Sequence, residues 1–167
     1  MHFEIRQAAL TDLELLVKWR MEVLREVFSI PADQPLARLE QENRTYYQNA
    51  LSKAEHMACL AYSAEKSIGC GGVCFYREMP SPDNQTGVCA YLMNIYTRPA
   101  FRGHGIGKRI VSWLIKQAKD REITKIYLET SACGRPLYQK MGFCDMHGYM
   151  QLKGQEGRGK KPAEKEV

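Results

Sequence analysis

Between residues 102 and 108 the chain reads Arg102, Gly103, His104, Gly105, Ile106, Gly107, Lys108. The two flanks differ. Before this stretch, Ala90 to Thr97 is an apolar, aromatic-rich run that reads as a strand. Pro99 stops it, because proline lacks the donor a ladder needs. After it, Ile106, Ile110, Val111, Leu114, Ile115 and Ala118 recur at helical spacing. A strand, a glycine-dense turn and a helix therefore follow one another directly. The first turn of a helix has unbonded N–H donors and the positive end of the peptide dipoles. Glycines let an anion reach those donors with no Cβ in the way. Arg102, Lys108 and Arg109 add positive charge. The stretch reads as a pocket for a phosphate-bearing ligand.

The rest of the chain alternates in the same manner. Phe3 to Gln7 predicts a short strand. Thr11 and Glu14 offer a capping box for a helix with Leu13, Leu16, Val17, Arg20, Leu24 and Val27 on one face. A second helix is expected over residues 35–51, with Tyr46 and Tyr47 among its apolar points. Strands follow at Met57 to Ala64, Ser67 to Tyr76 and Gly87 to Thr97. After the central helix come a strand from Lys125 to Glu129 and a short helix from Gly134 to Met141, closed by Gly142. A final strand is expected from Phe143 to Leu152. Residues 154–167 are polar and charged, cannot bury a core and are expected to be mobile. One domain over residues 1–153 accounts for the apolar patterning.

Composition narrows the function. A net charge of +5 over 167 residues suits an anionic ligand, and no basic stripe interleaved with aromatics points to nucleic acid. No apolar run is long enough to span a bilayer, and the first residues carry no apolar signal core, so a cytoplasmic location is the default. The six cysteines read as buried free thiols, and neither Cys70 with Cys74 nor Cys144 with His147 matches a paired zinc pattern. No metal is expected.

Three stretches together resemble the GNAT N-acetyltransferases, over essentially Phe3 to Leu152. Arg102 to Gly107, preceded by Tyr96 to Pro99, is similar to the family's acetyl-CoA motif. Leu137 to Phe143 is similar to its L-Y-x-K-x-G-F pattern, and Ile5 to Leu13 to its I-R-x-A-x-x-x-D start. The resemblance implies an α/β fold: a mostly antiparallel mixed sheet of six to seven strands, with helices on both faces and a V-shaped splay between the fourth and fifth strands. Acetyl-CoA would lie in that gap. Its pyrophosphate would meet the backbone of Arg102, Gly103, His104, Gly105, Ile106, Gly107 and Lys108, and its pantetheine arm would pair with Ile95, Tyr96 and Thr97. The Ile95 amide would face the thioester oxygen. Tyr138 would protonate the departing thiolate, and Ser131 would stand where the family often has asparagine. The implied activity is direct transfer of acetyl to a primary amine of a small molecule or peptide, by a protein that often pairs as a homodimer through strands near its C-terminus.

Two departures matter. Tyr91 stands where many members carry a strand-four glutamate that deprotonates the amine, and no carboxylate occurs from Gly87 to Thr97. Glu22 or Glu26 on the first helix are substitutes, though both also read as surface charges. Arg20 and Arg25 read as a solvated face or as contacts for an acidic acceptor. Gly134 replaces a common alanine, a mild change. The missing glutamate leaves a second class open, a non-catalytic acyl-CoA sensor.

Overall fold

The computed structural model describes residues 1–150 and residue 152. The tail 154–167 and the domain boundary at 153 lie outside the described residues. Five strands form one sheet in sequence order: β1 (Glu4–Gln7), β2 (His56–Ser63), β3 (Lys66–Arg77), β4 (Val88–Thr97) and β5 (Lys125–Leu128). β1 to β4 are antiparallel neighbours, and β5 runs parallel to β4. The helices are α1 (Leu13–Val27), α2 (Ala37–Ser52), α3 (Ile106–Lys119) and α4 (Arg135–Lys140). A parallel neighbour needs a crossover, and α3 supplies it. The mixed sheet with helices on both faces is as expected, but five described strands stand in place of six to seven.

The missing strand is the last one. Phe143 to Met150 form no ladder. Asp145 and Gly148 suit a pleated strand poorly, and Gly148 takes φ +88°. Side chains hold this segment instead: Phe143 packs edge-on against Tyr138, 5.8 Å between ring centroids, and Arg135 pairs with Asp145. The C-terminal strand expected to join two copies is therefore not formed among the described residues. The start of α1 also differs. A 3-10 turn over Leu10–Asp12 precedes it and leaves Thr11 too early to cap the helix. Asp12 instead accepts the Ala9 N–H at 2.8 Å, and Glu14 pairs with Arg44 of α2.

Each face of the sheet has its own core. On one, α3 lays Ile106, Ile110, Val111 and Leu114 against Ile68, Val73, Ala90 and Leu92. On the other, Leu16, Val17, Trp19 and Val23 of α1 and Tyr47 of α2 cover Ala58, Leu60, Cys70 and Tyr96. Fully burying one large apolar side chain contributes about 1.5–3 kcal/mol, so these two layers dominate the stability. Gly71 lets α3 settle on the sheet, since a Cβ there would stand 2.4 Å from Ile110 Cγ2.

Gly72 makes room on the opposite face for the ring of His56, which a Cβ would meet at 2.7 Å. His56 is 2% exposed, between the edges of Tyr46 and Tyr47, with each ring centroid 5.5 Å away. Its Nδ1 meets the Tyr46 hydroxyl at 3.1 Å, and its Nε2 has no partner among the described residues. Burial first, then the Arg20 charge, push its pKa from 6.5 down to about 4. Above pH 6.5 the ring is neutral in the folded and unfolded chains alike and adds no pH dependence. Between pH 6.5 and pH 4 the unfolded chain takes up a proton that the folded chain refuses, so stability falls as pH falls. The slope is at most about 1.4 kcal/mol per pH unit. His56→Gln should remove it. Denaturant midpoints compared between about pH 7 and pH 5 check this: wild type should lose more stability than the variant, and parallel losses would refute the assignment.

Candidate active site

β4 has one residue more than β3 between Met93 and Tyr96. Gly72 pairs with Met93 and Cys70 with Tyr96, so Asn94 and Ile95 together oppose Gly71. Asn94 takes φ +55°, a bulge conformation that asparagine tolerates better than most side chains. Pairing between β4 and β5 ends just before it, at Leu92 with Leu128. From there β4 continues without β5, which is the expected splay. The Arg98 N–H donates to Ile68 of β3 at 3.0 Å. Backbone groups alternate along a strand, so those of Thr97 and Ile95 face the gap. The Thr97 carbonyl accepts Arg102 Nε at 3.0 Å.

Gly103 and Gly105 take φ of +80° and +78°, and Gly105 is the N-cap of α3. The Arg109 N–H donates to the Gly105 carbonyl at 3.1 Å. The amides of Ile106, Gly107 and Lys108, in the first turn, have no carbonyl one turn back to meet. A cavity of about 590 Å³ lies elsewhere, between α2 and β3, but the one at this turn measures about 360 Å³. Thr97, Arg102, Gly103, Gly105, Ile106, Gly107 and Lys108 line it, with Phe101, Cys133 and Leu137. A Cβ on Gly107 would stand 3.4 Å from Leu137 Cδ2 and narrow it.

The other sequence-predicted residues do not line this cavity. Ile95 packs toward the α3 core. Tyr96 turns its side chain to α1 and donates its hydroxyl to Glu26; burial, then that carboxylate, push its pKa up to about 12. His104 is exposed, its Nδ1 2.9 Å from the Arg102 carbonyl. Ser131 serves the turn into α4, its carbonyl accepting the Gly134 and Arg135 amides at 3.1 and 3.2 Å. Cys133 and Cys144 are exposed, unlike Cys59, Cys70 and Cys89, which are buried as expected. Among the described residues no group of His, Cys, Asp or Glu is placed to hold a metal.

Tyr138 is fixed by how α4 ends. Gly142 takes φ +94°, the Phe143 N–H donates to the Tyr138 carbonyl at 3.0 Å, and the Gly142 N–H to Gln139 at 3.0 Å. These are the paired closing bonds of a glycine-ended helix, and the Phe143–Tyr138 ring contact is the apolar contact that accompanies them. Burial raises the Tyr138 pKa, and no hydrogen bond contributes to that shift. A Cβ on Gly134 would stand 2.6 Å from Thr130 Oγ1 and 3.2 Å from Tyr138 Cε2. Thr130 is exposed, so alanine there would have to displace its hydroxyl.

The two substitute bases are already engaged. Arg98 donates to both oxygens of Glu22, each at 3.0 Å, and Arg102 Nη2 to Glu26 at 2.6 Å. The Tyr96 hydroxyl, then Arg102, hold Glu26 below the usual carboxylate range, which weakens it as a base. Tyr91 lies 5.0 Å from the Tyr127 ring, and the Tyr127 hydroxyl meets that of Tyr76 at 2.6 Å. Burial, then the charge of Glu129, raise the Tyr91 pKa. Glu129 follows Leu128, the last residue of β5 paired with β4. Its charge reaches Tyr91, and no motif marks it. Asn94 also lies outside the motifs, although an asparagine inside an apolar strand run is a signal of broken pleating.

A model of the acetyltransferase (GNAT) family matches residues 21–143. The chain belongs to the GNAT acetyltransferase family. It is 25% identical over 142 residues to YjgM, an uncharacterized N-acetyltransferase of Escherichia coli, across 83% of this chain and 80% of that one. A predicted acetyltransferase from Clostridium acetobutylicum, solved with acetyl-CoA, is similar at a TM-score of 0.82 and 31% identity, over 91% of this chain and 96% of that one. A GCN5-related N-acetyltransferase from Ralstonia eutropha shares the fold at a TM-score of 0.78 and 21% identity, over 91% and 99% of the two chains. This GNAT protein is accordingly an acetyl-CoA-dependent acyltransferase.

Gly105 separates conformation from charge. A Cβ there meets nothing within 4 Å, so any substitution costs only the left-handed backbone, about 1–2 kcal/mol. Gly105→Ala and Gly105→Glu should therefore lose similar thermal stability. Only the glutamate places a negative charge at the N-terminus of α3, and it should abolish acetyl-CoA binding while the alanine, which adds only a Cβ, weakens it less. Calorimetry on both variants checks this, and equal affinities would count against an anion site at this turn.

Proposed function

We propose that this GNAT enzyme moves acetyl from acetyl-CoA directly to a primary amine of a small molecule or peptide. The supporting observation is continuous: the edge of β4 left without β5 leads straight into the open amides of α3 above one cavity. In this reading the turn from Arg102 to Lys108, His104 included, holds the pyrophosphate through its amides. The backbone of Ile95 to Thr97 pairs with the pantetheine arm as an added strand. The Ile95 amide, beside the bulge, donates to the thioester oxygen as charge develops there. Ser131 contributes one further hydrogen bond. Glu129, through water, accepts the proton that the amine releases, and Tyr138 returns one to the thiolate.

Direct transfer is tested by following CoA release and acetylated product over a panel of amines, and the intact mass of the protein after acetyl-CoA without acceptor. Product formation with an unchanged protein mass is expected. An acetylated protein, most pointedly at the exposed Cys133, would overturn the direct route.

The proton donors and acceptors separate kinetically. Tyr138→Phe keeps the ring contact with Phe143 and removes the proton. Its kcat should fall about 10²–10⁴-fold, the usual range for general acid catalysis, with KM and melting temperature little changed. Because burial raises the Tyr138 pKa, the wild-type rate should decline only above about pH 10, as the phenol ionises. A variant that lost stability but kept kcat would identify Tyr138 as packing alone. Glu129→Gln should likewise lower kcat more than KM, and an unaltered kcat would remove it as the base.

A further inference from the structure

The α1 glutamates Glu14, Glu22 and Glu26 each have an arginine partner: Arg44, Arg98 and Arg102. Arg20 on the same helix has no carboxylate within ion-pair distance among the described residues, although it is half-buried. Its Nε donates to Asn43 Oδ1 at 3.3 Å and its Nη1 to Asn94 Oδ1 at 3.2 Å. Both acceptors are neutral amide oxygens. They satisfy donors and fix the guanidinium in place, but they do not balance its charge. Each is itself held: Asn43 Nδ2 donates to Leu39 O at 2.8 Å, and Asn94 sits in the bulge with Nδ2 3.5 Å from the Tyr47 hydroxyl. Nη2 has no protein partner among the described residues.

The groups around it supply no ion-pair partner. The field of Arg20 reaches Tyr46, Tyr47, His56, Cys70 and Tyr91, so these groups are arrayed around it. Burial keeps the four hydroxyl and thiol groups protonated and the imidazole unprotonated, so all five are neutral at physiological pH. Glu22 is committed to Arg98. A partly desolvated cation held rigidly by neutral amides is poised for an anion from outside, and its planar fork matches a carboxylate.

We propose that Arg20 binds a carboxylate on the acceptor, which makes the acceptor a compact amino acid-like molecule with its amine a few bonds away. This rests on the acetyltransferase reading of the same site. Asn94, which holds Arg20, directly precedes Ile95, whose amide faces the thioester in that reading. An anion on Arg20 is therefore tied, through Asn94, to the residue next to the reacting carbonyl, which favours a compact acceptor over a long polyamine. Tyr91 feels the charge of Glu129 as well as that of Arg20, so a carboxylate is at hand for the ammonium end of a zwitterion.

The test uses matched acceptors: amino acids, their carboxamides and the corresponding simple amines. For wild type, kcat/KM for the carboxylate should exceed that for the carboxamide by about 10- to 100-fold, the scale of a charge-assisted hydrogen bond in a partly buried site. Arg20→Gln should bring that ratio close to one, and Arg20→Lys should restore part of it. Saturation-transfer NMR on the same pairs with CoA present reads acceptor binding without turnover, and should show the same preference and the same loss. Acetyl-CoA calorimetry on wild type reads the cofactor half separately, and failure there breaks the transferase reading itself. Intact acetyl-CoA binding with no carboxylate preference in kinetics or NMR overturns the Arg20 proposal alone. So does a preference that survives in Arg20→Gln.

Discussion

The one extra residue in β4 organises both faces of the sheet. Two residues, Asn94 and Ile95, oppose the single Gly71, so the strand bends and its pleat changes phase at that point. Pairing with β5 ends at Leu92, one residue before the bulge. The edge beyond it faces a gap, and the turn from Arg102 to Lys108 is delivered to the mouth of that gap. The same bulge turns the Asn94 side chain to the other face. There it meets Arg20, Tyr47 and Cys70 and ties α1 and α2 to the strand. The splayed edge and the α1–α2 face thus share one backbone irregularity. A shift in it moves both.

The α1 layer shows how charge is managed next to that gap. Glu22 and Glu26 hold Arg98 and Arg102, the residues that follow β4 and open the glycine turn. Exposed ion pairs contribute little stability, but a bidentate pair such as Glu22 with Arg98 fixes geometry. Their effect is positional: they set where β4 ends and how the turn departs. A carboxylate so committed is poorly suited to proton transfer, which moves attention to Glu129, whose charge is felt by Tyr91 at the parting of the strands.

What was legible in the sequence follows from the range of the physics. The glycine turn was readable because its demand is local: Gly103 and Gly105 need positive φ, and the helix after them is amphipathic. The closing of α4 at Gly142 was readable for the same reason. The bulge was not, since it is defined by a residue count relative to β3. The final strand was expected from composition, but strand formation needs a partner edge, and Asp145 and Gly148 disfavour it. Arg20 was half visible. It shares a helical face with Leu13, Leu16, Val17 and Leu24, so a charge lay on an apolar stripe. Its burial depends on Asn43 and Asn94, 23 and 74 residues away, which no local pattern reports.

The L-Y-x-K-x-G-F stretch has two explanations of different reach. Helix closure accounts for most of it: Gly142 takes the left-handed position, Phe143 folds back onto Tyr138, and the two backbone bonds complete the turn. Leu137 packs beside Gly107 and walls the cavity. All of this would hold equally with phenylalanine at position 138, because the ring and the carbonyl are the parts used. The tyrosine hydroxyl oxygen takes no part in that closure. A polar atom on a half-buried ring weakens packing unless it is hydrogen-bonded or faces solvent. Packing thus explains where the tyrosine ring is, and the proposed proton donation to the thiolate would give its oxygen a role.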